Sequence, residues 1–114
     1  MGKKEDVAKH LPLSEATYYI MSMLVDPMHG YGVMQQVEEK TDGAITIGPG
    51  TLYGAFSTLE KQGLIEMVCK EGRRKVYALT SKGEAVLRCQ IERLHVMVRR
   101  GDQVLGRICD SGGE

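Results

Sequence analysis

The chain has 114 residues, 42% of them apolar, with 15 Lys or Arg against 15 Asp or Glu, enough for one domain around a single modest core. One Phe, five Tyr and no Trp are too few aromatics for a platform that stacks single-stranded bases. No run approaches the roughly 18 apolar residues of a membrane span, and the polar start Met1-Gly2-Lys3-Lys4-Glu5-Asp6 has no leader-like apolar segment, so a cytoplasmic protein with no membrane partner is expected.

Residues 1–12 are polar without a clear period and read as a flexible or partly helical arm. Ser14 is placed to cap a helix, with Glu15 in its first turn and Ala16, Tyr19, Ile20, Met23 and Leu24 as its apolar stripe. Asp26-Pro27 should stop it, because the residue before proline disfavours helical geometry. Met28-His29-Gly30 then makes a turn. A second helix is expected from Tyr31 to Glu39, with Val33, Met34 and Val37 inward and Gln35, Gln36, Glu38 and Glu39 outward, ending at Thr41-Asp42-Gly43. Ala44-Ile45-Thr46-Ile47 suits a small strand.

Pro49 fits the first turn of a third helix, which Gly63 ends. Leu52, Phe56 and Leu59 share one face of it, while Gly50, Gly54, Ser57 and Lys61 share the opposite, small and polar face. Leu64 to Cys69 reads as a strand, Lys70 to Arg74 as a basic turn, and Lys75 to Leu79 as the returning strand. Thr80 or Ser81 can cap a final long helix, with Glu84 completing a capping box if the cap is Ser81. Along that helix Leu87, Ile91, Leu94, Val98, Gly101, Leu105 and Ile108 step by four and three, a heptad seam broken only at Gly101.

The expected fold is mostly α with a small β-hairpin: a winged helix-turn-helix over residues 13–80, a long C-terminal dimerisation helix over 81–108, and a disordered tail over 109–114. Nothing else in so short a chain is long enough to cover the seam, so Leu87, Ile91, Leu94, Val98 and Leu105 are expected to meet a second copy in a homodimer. The alternative is that the helix folds back over its own domain.

Zero net charge conceals an uneven distribution. Residues 1–60 carry four Lys or Arg against eight acids, whereas 61–82 carry six (Lys61, Lys70, Arg73, Arg74, Lys75, Lys82) against Glu66 and Glu71. Phosphates respond to the field within about 10 Å rather than to the total, so one basic face is enough to attract double-stranded DNA. The plainer reading is that these charges only solvate a hairpin. Cys69, Cys89 and Cys109 form no close pair, and His10, His29 and His95 fall in separate segments, so neither a disulfide framework, a metal nor a cofactor is expected. Gly48-Pro49-Gly50 lacks the Lys and Ser/Thr of a phosphate-cradling loop, and no triad-like order or acid pair points to an enzyme.

His29-Gly30-Tyr31-Gly32, Gly50-Thr51-Leu52-Tyr53-Gly54-Ala55, Leu59-Glu60-Lys61-Gln62-Gly63-Leu64-Ile65 and Lys75-Val76-Tyr77-Ala78-Leu79-Thr80-Ser81-Lys82-Gly83 together resemble the PadR family of bacterial transcriptional regulators, in order and spacing across about residues 13–108. The length resembles the small subgroup with a single C-terminal dimerisation helix. The resemblance implies a dimeric repressor that binds an inverted repeat and is released by a small hydrophobic effector. Many members have Pro where this chain has Gly54 and an aliphatic residue where it has Phe56. Some stack flat aromatic drugs on a Trp of the last helix, a mode this Trp-free chain does not share.

On that basis the Gly50–Gln62 helix enters the major groove, with Thr51, Ser57 and Lys61 touching bases or phosphates. Tyr53 is placed at the DNA backbone, or else packs half-buried; Thr51 alternatively only orders the helix start. Arg73, Arg74 and Lys75 at the wing tip contact phosphates or the minor groove. Gln35 and Gln36 fit a solvated face better than a backbone contact. Tyr18, Tyr19 and Met23 join the dimer interface or the chain's own core, and Met97 and His95 are weak candidates for an effector pocket. A winged-helix protein-interaction module that ignores DNA is the alternative function.

Overall fold

The computed structural model describes residues 6–112. Ser14 opens helix α1 (Glu15–Met23): its Oγ accepts a hydrogen bond from the Thr17 N–H at 3.1 Å, satisfying a donor that the first turn leaves unpaired. The helix ends before the expected Asp26-Pro27 stop. The Leu24 N–H returns to the Met21 carbonyl, and the Leu24 carbonyl accepts from Leu79 N–H at 2.9 Å, which ties the helix end to the sheet.

Met28–His29, expected as a turn, is the two-residue strand β1. Helix α2 (Gly30–Lys40) follows and buries Val33 and Val37. His29 caps it, the ring Nδ1 accepting from Gly32 N–H at 3.1 Å. Asp42 and Gly43 take positive φ just beyond its end.

Ala44–Ile47 is irregular and not the small strand expected there. Ile45 N–H is held by Thr41 Oγ1 at 3.1 Å, and Ile47 is buried in the core. The outer edge of β3 is taken by β1, and this segment serves instead as an anchored approach to α3 (Pro49–Lys61). Gly63, at φ 75°, stops α3: its N–H bonds the Glu60 carbonyl at 3.0 Å, and Leu64 N–H bonds Leu59 at 2.9 Å, a Schellman closure.

Strands β2 (Ile65–Glu71) and β3 (Arg74–Leu79) form the hairpin, with β3 central in a β1-β3-β2 antiparallel sheet. Met28 faces Tyr77 and His29 faces Val76, while Ile65 pairs with Leu79 and Glu71 with Arg74. The core gathers Ile20 and Met21 from α1, Leu24 just past its end, Val33 and Val37 from α2, Leu52, Phe56 and Leu59 from α3, Leu64, Ile65, Tyr77 and Leu79 from the hairpin region, and Val86 and Leu87 from the last helix.

That helix, α4 (Ser81–Gly112), has 32 residues and is roughly 48 Å long at 1.5 Å per residue. Thr80 rather than Ser81 caps it, its Oγ1 accepting from Gly83 N–H at 3.0 Å and donating to the Gly63 carbonyl at 2.6 Å. Gly83 sits so close to the sheet that a Cβ would collide with the Leu64 carbonyl. Val86, Leu87 and Gln90 are buried, and Gln90 Oε1 accepts from Leu13 N–H at 2.8 Å. Beyond Ile91 the helix leaves the domain, exposing Met97, Val98 and Leu105. It runs through Gly112, past the 108 boundary expected for it, and residues 113–114 lie outside the described residues.

Of the expected arm, residues 1–5 lie outside the described residues. Residues 6–8 are helical, and Val7 and Leu11 pack against the core. Among the described residues no helix is long and apolar enough to cross a membrane.

Candidate nucleic-acid interface

Helix α3 buries Leu52, Phe56 and Leu59 and leaves Gly50, Gly54, Ser57 and Lys61 along an exposed crest. At about 100° per residue, Tyr53 and Glu60 fall to one side of that crest, and Thr51, Thr58 and Gln62 to the other. Each side borders an open cleft. The first, of about 490 Å³, lies between α3, the start of α2 and the hairpin tip. It brings together Tyr53, Ser57, Arg73, Arg74 and Lys75 from the sequence-predicted set. Thr51 is on the opposite side, lining a second cleft of about 440 Å³. Lys61 is exposed at the last turn of α3 and lines neither.

Tyr53 is held by a glycine. A Cβ on Gly30 would come within 2.7 Å of the Tyr53 ring and hydroxyl and 2.8 Å of Leu52. The bare backbone there lets the tyrosine lie across the start of α2 while 52% of its surface remains open. Its ring meets Phe56 edge-on at 6.1 Å, and Phe56 meets Tyr77 at 4.9 Å, an aromatic chain linking the cleft to the core. The ring is therefore packed on one side and open to the cleft on the other.

At the hairpin tip, Gly72 takes φ 65° and Arg73, Arg74 and Lys75 are all exposed. Arg74 turns back over the cleft: its guanidinium carbon is 5.8 Å from the Tyr31 ring centroid, and Nη1 is 3.1 Å from His29 Nε2. A neutral imidazole has one acceptor nitrogen and arginine has only donors. His29 Nδ1 already accepts from Gly32, so the tautomer that caps α2 turns an N–H toward Arg74. The cap and the arginine therefore compete for one lone pair of the His29 ring.

Glu60 also lines this cleft. Burial first, and then the charge and hydrogen bonding of Glu60, push the Tyr77 phenol up from its ordinary value. A carboxylate thus shares the cleft with the three basic residues of the hairpin tip.

His29, Tyr31, Glu60 and Tyr77 were missed as cleft residues by sequence reasoning. Only His29 carried a signal, its three-residue spacing to Gly32 at a helix start, obscured because histidine is outside the usual capping set. The seam residues divide. Leu87 is 6% exposed within its own core, Ile91 packs partly against that core, Leu94 is half-buried, and Val98 and Leu105 are open at 58% and 57%. Of the other candidates, Tyr18, Tyr19 and Met23 pack against the chain's own core, and His95 and Met97 are exposed.

The chain resembles a transcriptional regulator from Clostridium thermocellum at a TM-score of 0.68 and 24% identity, over 87% of this chain and 96% of that one. It resembles a PadR family transcriptional regulator from Eggerthella lenta at a TM-score of 0.65 and 27% identity, over 90% and 82%. The Escherichia coli transcriptional regulator YqjI is 33% identical over 75 residues, covering 66% of this chain and 36% of that protein. The match to a 37.1 kDa protein of a Streptomyces fradiae transposon, 30% identical over 92 residues, takes in 80% of this chain and 25% of that one, so the chain spans well under two thirds of these curated relatives. The model of the transcriptional regulator PadR-like family matches residues 20–89. With more than half its length inside that match, the chain belongs to the PadR-like family of transcriptional regulators, a family of regulators and not of enzymes.

Proposed function

We propose that the chain acts as a homodimeric repressor binding an inverted-repeat DNA operator, with α3 in the major groove and the hairpin tip on the backbone beside it. The observation that carries this reading is the gathering of Tyr53, Ser57, Arg73, Arg74 and Lys75 around one open cleft. The crest of α3 is bare at Gly50 and Gly54, where a Cβ would meet nothing within 4 Å, so a duplex could approach the helix backbone closely. Ser57 and Lys61 then face base edges, Tyr53 donates to a phosphate, and Arg73, Arg74 and Lys75 supply charge. Thr51 contacts from the other side.

Dimerisation is assigned to α4 from Ile91 onward, with Leu94, Val98 and Leu105 facing a second chain. The support is that Val98 and Leu105 lie open on one stripe of a helix that has left its own domain. Where α4 leaves, Val25, Leu79, Leu87 and Ile91 line a groove of about 450 Å³ that Glu84, Arg88 and Glu92 also border. A small hydrophobic effector seated there would alter the angle between the two α4 helices, and with it the spacing of the two α3 helices.

Hydroxyl-radical footprinting of the gene's own upstream region tests this reading. The expected pattern is two symmetry-related protected half-sites about one helical turn, roughly 34–36 Å, or a multiple of it apart. A single half-site, or uniform protection, contradicts the two-fold dimer.

A further inference from the structure

Of the two clefts beside α3, only the one next to the hairpin is used by the proposed DNA contacts, apart from Thr51. The second lies between α3, the start of α1 and the segment before it, and is lined by Lys9, Ser14, Thr17, Thr51, Thr58 and Gln62, among others. These groups are an ammonium, hydroxyls and an amide, with the His10 imidazole beside them, and no carboxylate lines the cleft. Among the described residues the hydroxyls of Thr51 and Thr58 have no hydrogen-bond partner. Lys9 pairs with Asp6 at 3.6 Å, but both side chains are more than half exposed, at 62% and 57%, and such a pair contributes little and exchanges readily.

The position matters as much as the chemistry. A helix with its side chains is about 10–12 Å across and the major groove about 12 Å wide, so a helix seated in it has one sugar-phosphate backbone on each side. The basic hairpin borders one side of the crest and this hydroxyl-lined cleft borders the other. We infer that the Lys9–Thr58 cleft is a second phosphate-binding surface, holding the backbone of the DNA strand opposite the one met by the hairpin. The inference rests on the DNA-binding reading and extends it to a segment outside the matched family region, which begins at residue 20. Lys9 supplies the charge, and Thr51 and Thr58 donate to phosphate oxygens. Packing of Val7 and Leu11 on the core positions Lys9 there without help from DNA.

The test is the salt dependence of binding to two duplexes, the gene's own upstream region and a scrambled sequence of equal length. It compares the full chain with Lys9→Ala, Thr58→Val and Arg99→Ala, the last an exposed α4 cation lining neither cleft. Arg73→Ala serves as the hairpin reference, and urea midpoints confirm that each variant is folded. The expected result is that Lys9→Ala weakens both duplexes by a similar factor and lowers the slope of log K against log salt by about one per chain. Thr58→Val should weaken both without changing that slope, and Arg99→Ala should match the unaltered chain. If Lys9→Ala and Thr58→Val both behave like Arg99→Ala while Arg73→Ala is impaired, this inference fails and the DNA-binding reading stands. If the unaltered chain binds neither duplex at low salt, both fall.

Discussion

At the scale of single residues, the glycines separate packing from function. Gly83 faces the rigid Leu64 carbonyl, and Gly30 faces Tyr53 and the fully buried Leu52. Overpacking costs about 1–3 kcal/mol, so Gly83→Ala should destabilise by the upper end of that range, because a backbone carbonyl cannot turn aside, and Gly30→Ala by less. Gly54 has open space around it inside α3, so Gly54→Ala should stabilise by about 0.5–1 kcal/mol in urea denaturation. Gly54→Leu should keep the fold and lose DNA affinity; unchanged affinity would mean that no duplex lies against the crest.

His10 gives a pH-dependent prediction at the same scale. Burial, then Lys82 and Lys9, lower its pKa below the ordinary 6.5, with Asp6 opposing, and its Nε2 is buried without a partner. The folded state therefore takes up a proton less readily than the unfolded chain. Its contribution to stability is complete above about pH 6.5 and is lost as pH falls below it. Urea midpoints should drop between about pH 7.5 and 5.5, and less so in His10→Gln; equal drops would place the titrating group elsewhere.

At the scale of elements, α4 carries two different obligations. Leu87 belongs to the core of its own domain, so Leu87→Ala should cost about 2–5 kcal/mol of stability. Val98 and Leu105 are open in the single chain, so Val98→Asp or Leu105→Asp should leave the domain folded while sedimentation equilibrium shows monomer in place of dimer. A dimer that survives both charges would move the interface off the seam.

The helices were legible because each carries a repeated apolar face, and α3 in addition has Pro49 at its start and Gly63 at its end. The third strand was misplaced for a physical reason. Ile45 and Ile47 are spaced like a strand but serve as loop anchors, Ile47 buried and Ile45 half-buried, whereas Met28–His29 is too short to show any alternation and becomes a strand only because β3 offers it an edge. The first cleft was partly legible, since Arg73, Arg74 and Lys75 form a run and Tyr53 shares the helix with Ser57. Lys9 beside Thr58 was not, because only folding places the segment before α1 against α3.

At the scale of the whole molecule, a chain of zero net charge reaches extents of 59 × 39 × 21 Å, with α4 extending away from a small domain whose basic residues concentrate at the hairpin. Such a shape separates the proposed dimer seam on α4 from the proposed DNA-facing side of α3. In the proposed function, α3 and the hairpin tip recognise a particular duplex. The measurement that tests it most directly is the affinity of the unaltered chain, Tyr53→Ala and Arg73→Ala for the gene's own upstream region and for a scrambled duplex, at about 50 and 200 mM salt. Much tighter binding to the native duplex is expected, at two chains per duplex, with both variants weakened and Arg73→Ala less salt-sensitive. Absence of binding to either duplex at the lower salt, or variants indistinguishable from the unaltered chain, would contradict it and favour a winged helix that docks on protein instead.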